Sequence, residues 1–156
     1  MTYLVIDPDG ALHVRDRPPT LDAINAEVGD GGTDRVPLGV NARGFVNDVG
    51  HLAGLPRNVV GSLLLMCCGA AHQPYAGPVV VVGWDRHAWD GTEIRPLPPE
   101  VLEALRGLHA DIRAVVDGGV PRDRYDPRWI AQVRKAAAFV AAADTPTMTI
   151  RRGLPT

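Results

Sequence analysis

Two short stretches hold most of the residues that could do chemistry. The first, Gly83–Asp90, reads GWDRHAWD. It follows four consecutive valines and carries Trp84, Asp85, Arg86, His87, Trp89 and Asp90. Trp and Arg are favoured at binding surfaces because they bury large areas and still offer a donor. A loop that leaves a buried strand is also a usual place for a site. Asp85 and His87 could form an acid–base pair, but no nucleophile accompanies them. The plainer alternative has Trp84 and Trp89 capping the edge of the core while the charges face water. The second stretch, Asn47–Asn58, reads NDVGHLAGLPRN. Asn47, His51, Arg57 and Asn58 there stand beside the start of an apolar helix, and a helix N-terminus attracts anions. A phosphate or nucleotide could dock on those groups. The same residues also make sense without a ligand. Gly50 and Gly54 allow positive φ, Pro56 fixes φ, Asn58 caps the helix and Asn47 closes an Asx turn.

Cys67 and Cys68 end the apolar run, with His51 and His72 nearby in sequence. Adjacent residues on a helix point about 100° apart, so the two thiols would rarely reach one zinc ion. Buried cysteines acting as small hydrophobes are the expectation. No metal or other cofactor is expected. The chain has no phosphate loop, GxSxG, HExxH or paired CxxC pattern. His13 and His109 read as solvent-facing positions on a strand and a helix, with no role assigned.

These residues need a scaffold, and its elements are legible. YLVID, a DPDG turn and ALHVRD make a β-hairpin, with Leu12 and Val14 on one face. TLDAINAEVG is a short helix capped by Thr20 and stopped by Gly29, with Leu21, Ile24 and Val28 facing inward. RVPLGV and GFVNDV read as strands about the turn NARG, and Pro37 places the first at a sheet edge. The apolar helix begins after Asn58. GPVVVVGW is a strand buried on both faces, hence central. Residues 85–97 read as a loop. PPEVLEALRGLHADIRAVVDGG and the segment after Asp126–Pro127 are helices with apolar stripes. The tail suggests a short strand at Thr147–Ile150. The order β-β-α-β-β-α-β-α-α points to an α+β fold: a small mixed or antiparallel sheet of about five strands, covered by helices, with a C-terminal helical extension. Residues 1–118 are read as the core domain. Residues 119–156 are read as a C-terminal helix and tail packed on it.

Composition narrows the partners. The chain has 156 residues with 22% charged and a formal net charge of -2. That total excludes a global polyelectrolyte signal for nucleic acid or an anionic membrane. From Val120 to Thr156, seven basic residues face three acidic ones, which keeps a nucleic-acid regulator as an alternative. No apolar run approaches the roughly 20 residues that cross a bilayer, and YLVID is too short for a signal-peptide core. Two adjacent cysteines make a poor disulfide framework, so a reducing, cytoplasmic setting is expected.

The stretches LVIDPDG, NDVGHLAGLPRN and GPVVVVG together resemble a family known as domain of unknown function 3846. The positions that carry the likeness are Asn47, Gly50, Leu52, Gly54, Leu55, Pro56, Asn58, Gly77 and Gly83, within Tyr3–Trp84. The resemblance implies a context of phages, plasmids and actinobacterial accessory genes, and it supplies no reaction. The leading expectation is therefore a non-enzymatic accessory protein that binds a small anionic ligand or a host protein, to adjust a host response. Its candidate ligand-binding residues are Asn47, His51, Arg57, Asn58, Trp84, Asp85, His87 and Trp89. The alternatives are a hydrolase using His51, Asp85 or His87, and the nucleic-acid regulator. Homo-oligomerisation is left open.

Overall fold

Extended, β-branched stretches separated by turn residues build the sheet, and capped apolar stripes build the helices. A computed structural model describes residues 1–39, 41–89, 93–122 and 125–143. The strands are β1 (Thr2–Ile6), β2 (Leu12–Asp16), β3 (Thr33–Pro37), β4 (Ala42–Asn47), β5 (Val79–Trp84) and β6 (Ile94–Arg95). The helices are α1 (Leu21–Val28), α2 (Val59–Cys67), α3 (Pro99–Val116) and α4 (Pro127–Ala142). All strand pairs are antiparallel, in the order β2-β1-β5-β4-β3, with β6 alongside β5. The fold is α+β, with an open antiparallel sheet.

The valine run lies at the centre of that sheet. Val79, Val80, Val81 and Val82 are all fully buried. Side chains alternate along a strand. Val79 and Val81 join the larger core with Leu4, Ile6, Leu64 and Ile112, beneath α2, α3 and α4. Val80 and Val82 join Tyr3, Val5, Phe45, Ile24 and Val28 beneath α1. Each buried valine contributes about 1.5–3 kcal/mol relative to an exposed one. Pro37 lies in β3, an edge strand, where its missing N–H breaks no ladder bond.

The start of α2 ties the two central strands together. Asn58 is fully buried, and its Oδ1 accepts the Gly61 N–H at 2.8 Å as a helix cap. Its Nδ2 donates to the Ile6 carbonyl at 2.8 Å and to the Gly77 carbonyl at 3.0 Å. One side chain thus joins the end of β1, the start of α2 and the approach to β5. At the other end of the chain, α4 places Val133 and Val140 in the larger core. Arg57 Nη1 donates to the Ala141 carbonyl at 2.9 Å, near the end of α4.

α1 is anchored from the β1–β2 side. The Glu27 carboxylate accepts from Arg15 Nε at 2.8 Å, Arg17 Nη2 at 2.7 Å and the Tyr3 hydroxyl at 3.2 Å. Burial by itself pushes the Glu27 carboxyl up, but the hydrogen bonds and charge of Arg15, with help from Arg17, outweigh it and hold the group below its usual range.

Several local expectations are corrected by packing. Leu21 was expected to face inward but is 55% exposed. α1 has only eight residues and meets the sheet through Ile24 and Val28, while Leu21, its first residue, borders an open recess with Phe45 and Trp84. Val14 is exposed because β2 is the other edge strand. His109 does not face solvent: it is half-buried, and its Nε2–H donates to the Gly10 carbonyl at 2.7 Å, pinning the hairpin turn to α3. His13 donates to Asp7 at 2.7 Å. The expected loop after Trp84 contains β6, which pairs Ile94 with Trp84 and Arg95 with Gly83. The strand suggested at Thr147–Ile150 lies outside the described residues.

Replacing Asn58 with Ala removes the cap and leaves two buried carbonyls without their donor. It should lower unfolding free energy by about 2–4 kcal/mol, read from urea denaturation. Glu27 gives a second expectation. Its folded pKa is depressed, so its contribution is present above the unfolded value near 4.5 and is lost as pH falls through the lower folded value. The stability difference between wild type and Glu27→Gln should therefore shrink steadily from pH 6 to pH 3.

Candidate functional site

The polar groups of NDVGHLAGLPRN are engaged within the protein. Asn47 is buried; its Nδ2 donates to the Asp30 carbonyl at 2.6 Å, and its Oδ1 accepts the Val49 N–H at 3.0 Å. That is the Asx turn. His51 Nε2–H donates to the Pro74 carbonyl at 2.9 Å. Arg57 holds α4 and Asn58 holds the central strands, as described. Gly54 has φ 72, in the left-handed region. Gly50 is needed for a different reason from the one its position suggested: a Cβ there would lie 2.7 Å from the Ala76 carbonyl oxygen. Val60, Gly61 and Ser62, the first turn of α2, are buried. The stretch is a clasp around the helix start.

The cysteine pair sits differently from expectation. α2 ends at Cys67, and Cys68 is its cap, so both lie at the rim of the core. Cys67 is exposed and Cys68 half-exposed. Desolvation raises both thiols, and the neighbouring Cys67 helps push Cys68 up to about 11. Both are protonated, weakly nucleophilic groups at neutral pH. Cys67 and His72 border an open cleft of about 260 Å³ between α2 and α4, floored by Leu63, Met66 and Val133. Trp129, stacked on Tyr125 at 4.1 Å, forms one wall. Among the described residues no three His, Cys, Asp or Glu side chains converge to hold a metal ion.

The other stretch lies where the sheet is least covered. Strand alternation puts Arg35 of β3, Arg43 and Phe45 of β4, Trp84 of β5 and Ile94 of β6 on the α1 face. Only the first residue of α1, Leu21, borders this corner. The Arg43 guanidinium lies 4.4 Å from the Trp84 ring centre and that of Arg35 at 5.9 Å. Phe45 packs on the same indole, tilted by 55°. Stacking of this kind holds a guanidinium flat and partly desolvated. Arg43 Nε is buried and, among the described residues, has no hydrogen-bond partner. In front of the cluster is a recess of about 390 Å³, bounded by Thr20, Leu21, Arg35, Phe45, Trp84 and Glu93. A second recess, of about 460 Å³, lies against Trp84, Asp85, His87, Arg95 and Pro96.

The structure therefore brings Trp84, Asp85 and His87 together and separates them from the clasp residues. The Asp85 N–H donates to the Glu93 carbonyl at 2.8 Å, and Asp85 Oδ1 accepts the His87 backbone N–H at 3.0 Å. The contact between this acid and His87 runs through the main chain, and the His87 side chain is exposed. Trp89 is 95% exposed and borders neither recess. Sequence reasoning missed Arg35 and Arg43. Their available signal was an arginine at alternate positions of two short strands, and it gains meaning only once β3, β4 and β5 are laid side by side.

The sequence model of a domain of unknown function, DUF3846, matches residues 1–118, from β1 through α3 and short of α4. No curated protein and no solved structure matches the chain.

The thiol environment yields a measurable expectation. With its pKa near 11, Cys68 is thiolate in roughly one molecule in ten thousand at pH 7. Alkylation by iodoacetamide, followed by mass spectrometry of the modified peptide, should accelerate about tenfold per pH unit through pH 10. A plateau near pH 8 would contradict the assignment.

Proposed function

The chain belongs to the DUF3846 family, and from that premise we propose that it is a non-enzymatic binding module whose Trp84 corner takes a small anionic, nucleotide-like ligand. The observation that carries this reading is the Trp84 indole: it borders both recesses, and the guanidiniums of Arg43 and Arg35 lie over it. Arg35 adds a second positive charge to the same corner. The recess is wide enough for a planar base, and bases stack well on indole and guanidinium planes.

The eight residues expected to hold a ligand divide in this reading. Trp84 carries the site, and Asp85 and His87 shape the adjoining recess. Asn47, His51, Arg57 and Asn58 fix the strands and helices that present it. The wider role is that of an accessory protein of a phage or plasmid, acting in a reducing cytoplasm, a setting that suits two unpaired thiols. Trp89 favours a second reading, docking of a host protein, because an indole 95% exposed is costly unless something covers it.

Calorimetric titration with adenosine and guanosine mono- and triphosphates tests the first reading. Binding should weaken with added salt, and Arg43→Ala or Trp84→Ala should each lower affinity at least about tenfold. Absence of heat with every nucleotide, or unchanged affinity in both variants, would sink it.

A further inference from the structure

The two edges of the sheet are not alike. Bonded and unbonded residue pairs alternate along antiparallel strands, so one main-chain bond fixes which residues turn their N–H and C=O outward. In β3 the bond from the Asp48 N–H to the Gly32 carbonyl leaves Thr33, Arg35 and Pro37 facing out. Pro37 has no N–H to offer, so that edge is blunted. In β2 the bond from the Asp7 N–H to the Ala11 carbonyl leaves Leu12, Val14 and Asp16 facing out. Each of these carries both a donor and an acceptor, and among the described residues no strand pairs with that edge. α1 does not cover it, because that helix packs against β4 and β5. The cations of β2 are drawn off the edge, with Arg15 held by Glu27 at 2.8 Å and His13 by Asp7 at 2.7 Å. An open recess of about 420 Å³ runs beside Val14, Arg15 and Glu27.

We propose that this edge is a self-association surface, on which β2 of a second copy of the chain pairs antiparallel about Val14. With the two Val14 residues opposite each other, Leu12 of each copy lies opposite Asp16 of the other. The outward residues then meet only outward residues, and their three pairs close about six main-chain hydrogen bonds. Charge complementarity selects a second copy over an unrelated strand. Leu12 packs on the larger core, so Leu12, Val14 and Asp16 share the α3 side of the sheet. The Arg113 guanidinium of α3 covers Gly10 on that side: a Cβ at Gly10 would lie 2.7 Å from Arg113 Nη1. Gly10 stands two residues before Leu12, so Asp16 of each copy falls diagonally across from Arg113 of the other, within reach of a long side chain. Asp16 is available for that pair. Its carboxylate is 88% exposed and meets the Met1 ammonium at 3.5 Å, a contact too exposed to hold it. On the opposite face His13 of one copy stands across from Arg15 of the other. Each of those cations brings its own carboxylate, Asp7 or Glu27, so the pairing leaves no cation without a counterion.

Sedimentation equilibrium of the full chain over a range of concentrations tests this, with circular dichroism confirming that each variant is folded. Wild type should form a dimer with Kd on the order of micromolar. Val14→Pro removes an outward donor while sparing every bond to β1, as Pro37 does in β3, and should raise Kd at least about tenfold. Asp16→Arg and Arg113→Asp should each raise it about three- to tenfold. The double variant Asp16→Arg/Arg113→Asp restores the opposite charges across the pair and should return to within about threefold of wild type. These exposed charge changes keep the test decisive if Val14→Pro does not fold. A wild-type chain that stays monomeric up to about 0.5 mM overturns the proposal. So does a dimer whose Kd is unmoved by a folded Val14→Pro, or one in which the double variant is no tighter than the single charge variants.

Discussion

The buried amide of Asn58 is the joint on which the rest of the structure depends. Two central strands of an antiparallel sheet can slide unless something fixes their register. β1 and β5 pair over only three residues on each side, Leu4–Ile6 and Val79–Val81. The Asn58 side chain meets a carbonyl at the end of β1, another just before β5, and an N–H in the first turn of α2. The amide is fully buried, so each lost bond would leave a polar group with no water to replace it. Its backbone N–H also donates to the Tyr75 carbonyl at 2.8 Å, so the residue is held from both sides. β5 starts from this joint and delivers Trp84 at its far end.

The unequal cover of the sheet follows from element lengths. Three helices pack on one face, and a single eight-residue helix packs on the other. Glu27, Arg15, Arg17 and Tyr3 fasten that helix toward the β1–β2 side. The β3–β4–β5 corner is left with two arginines, an indole and a recess. A corner of this kind can exist in a stable domain because Trp84 and Phe45 bury each other and the guanidiniums cover the indole. Arg43 Nε is buried there with no hydrogen-bond partner among the described residues.

Much of this was legible in the residues. The helix start at Asn58, the cap at Thr20, the edge position of Pro37 and the central place of the valine run all follow from rules acting within a few residues. That residues after the valines cluster was also legible, since Trp84, Asp85 and His87 border one recess. Other features were not. β6 has two residues, too few to show any periodicity. Leu21 lies at helical spacing from Ile24, yet whether it is covered depends on where the helix crosses the sheet. His109 could be identified as an anchor only once α3 lay over the β1–β2 turn. Cys67 reads as the end of an apolar run but falls at the rim, because burial stops where the helix does.

The sequence by itself determined the fold class, the order of elements other than β6 and the helix cap at Asn58. Those depend on φ preferences, capping and alternation, and each of these acts between neighbours in the chain. Only the tertiary structure decided that Arg35 and Arg43 share the Trp84 indole and that Glu93 stands beside Arg35. Those groups come from β3, β4, β5 and the approach to β6, brought side by side by strand pairing. Whether a guanidinium is stacked, paired or left unmet depends on which side chains surround it, and that is fixed by register and cover together.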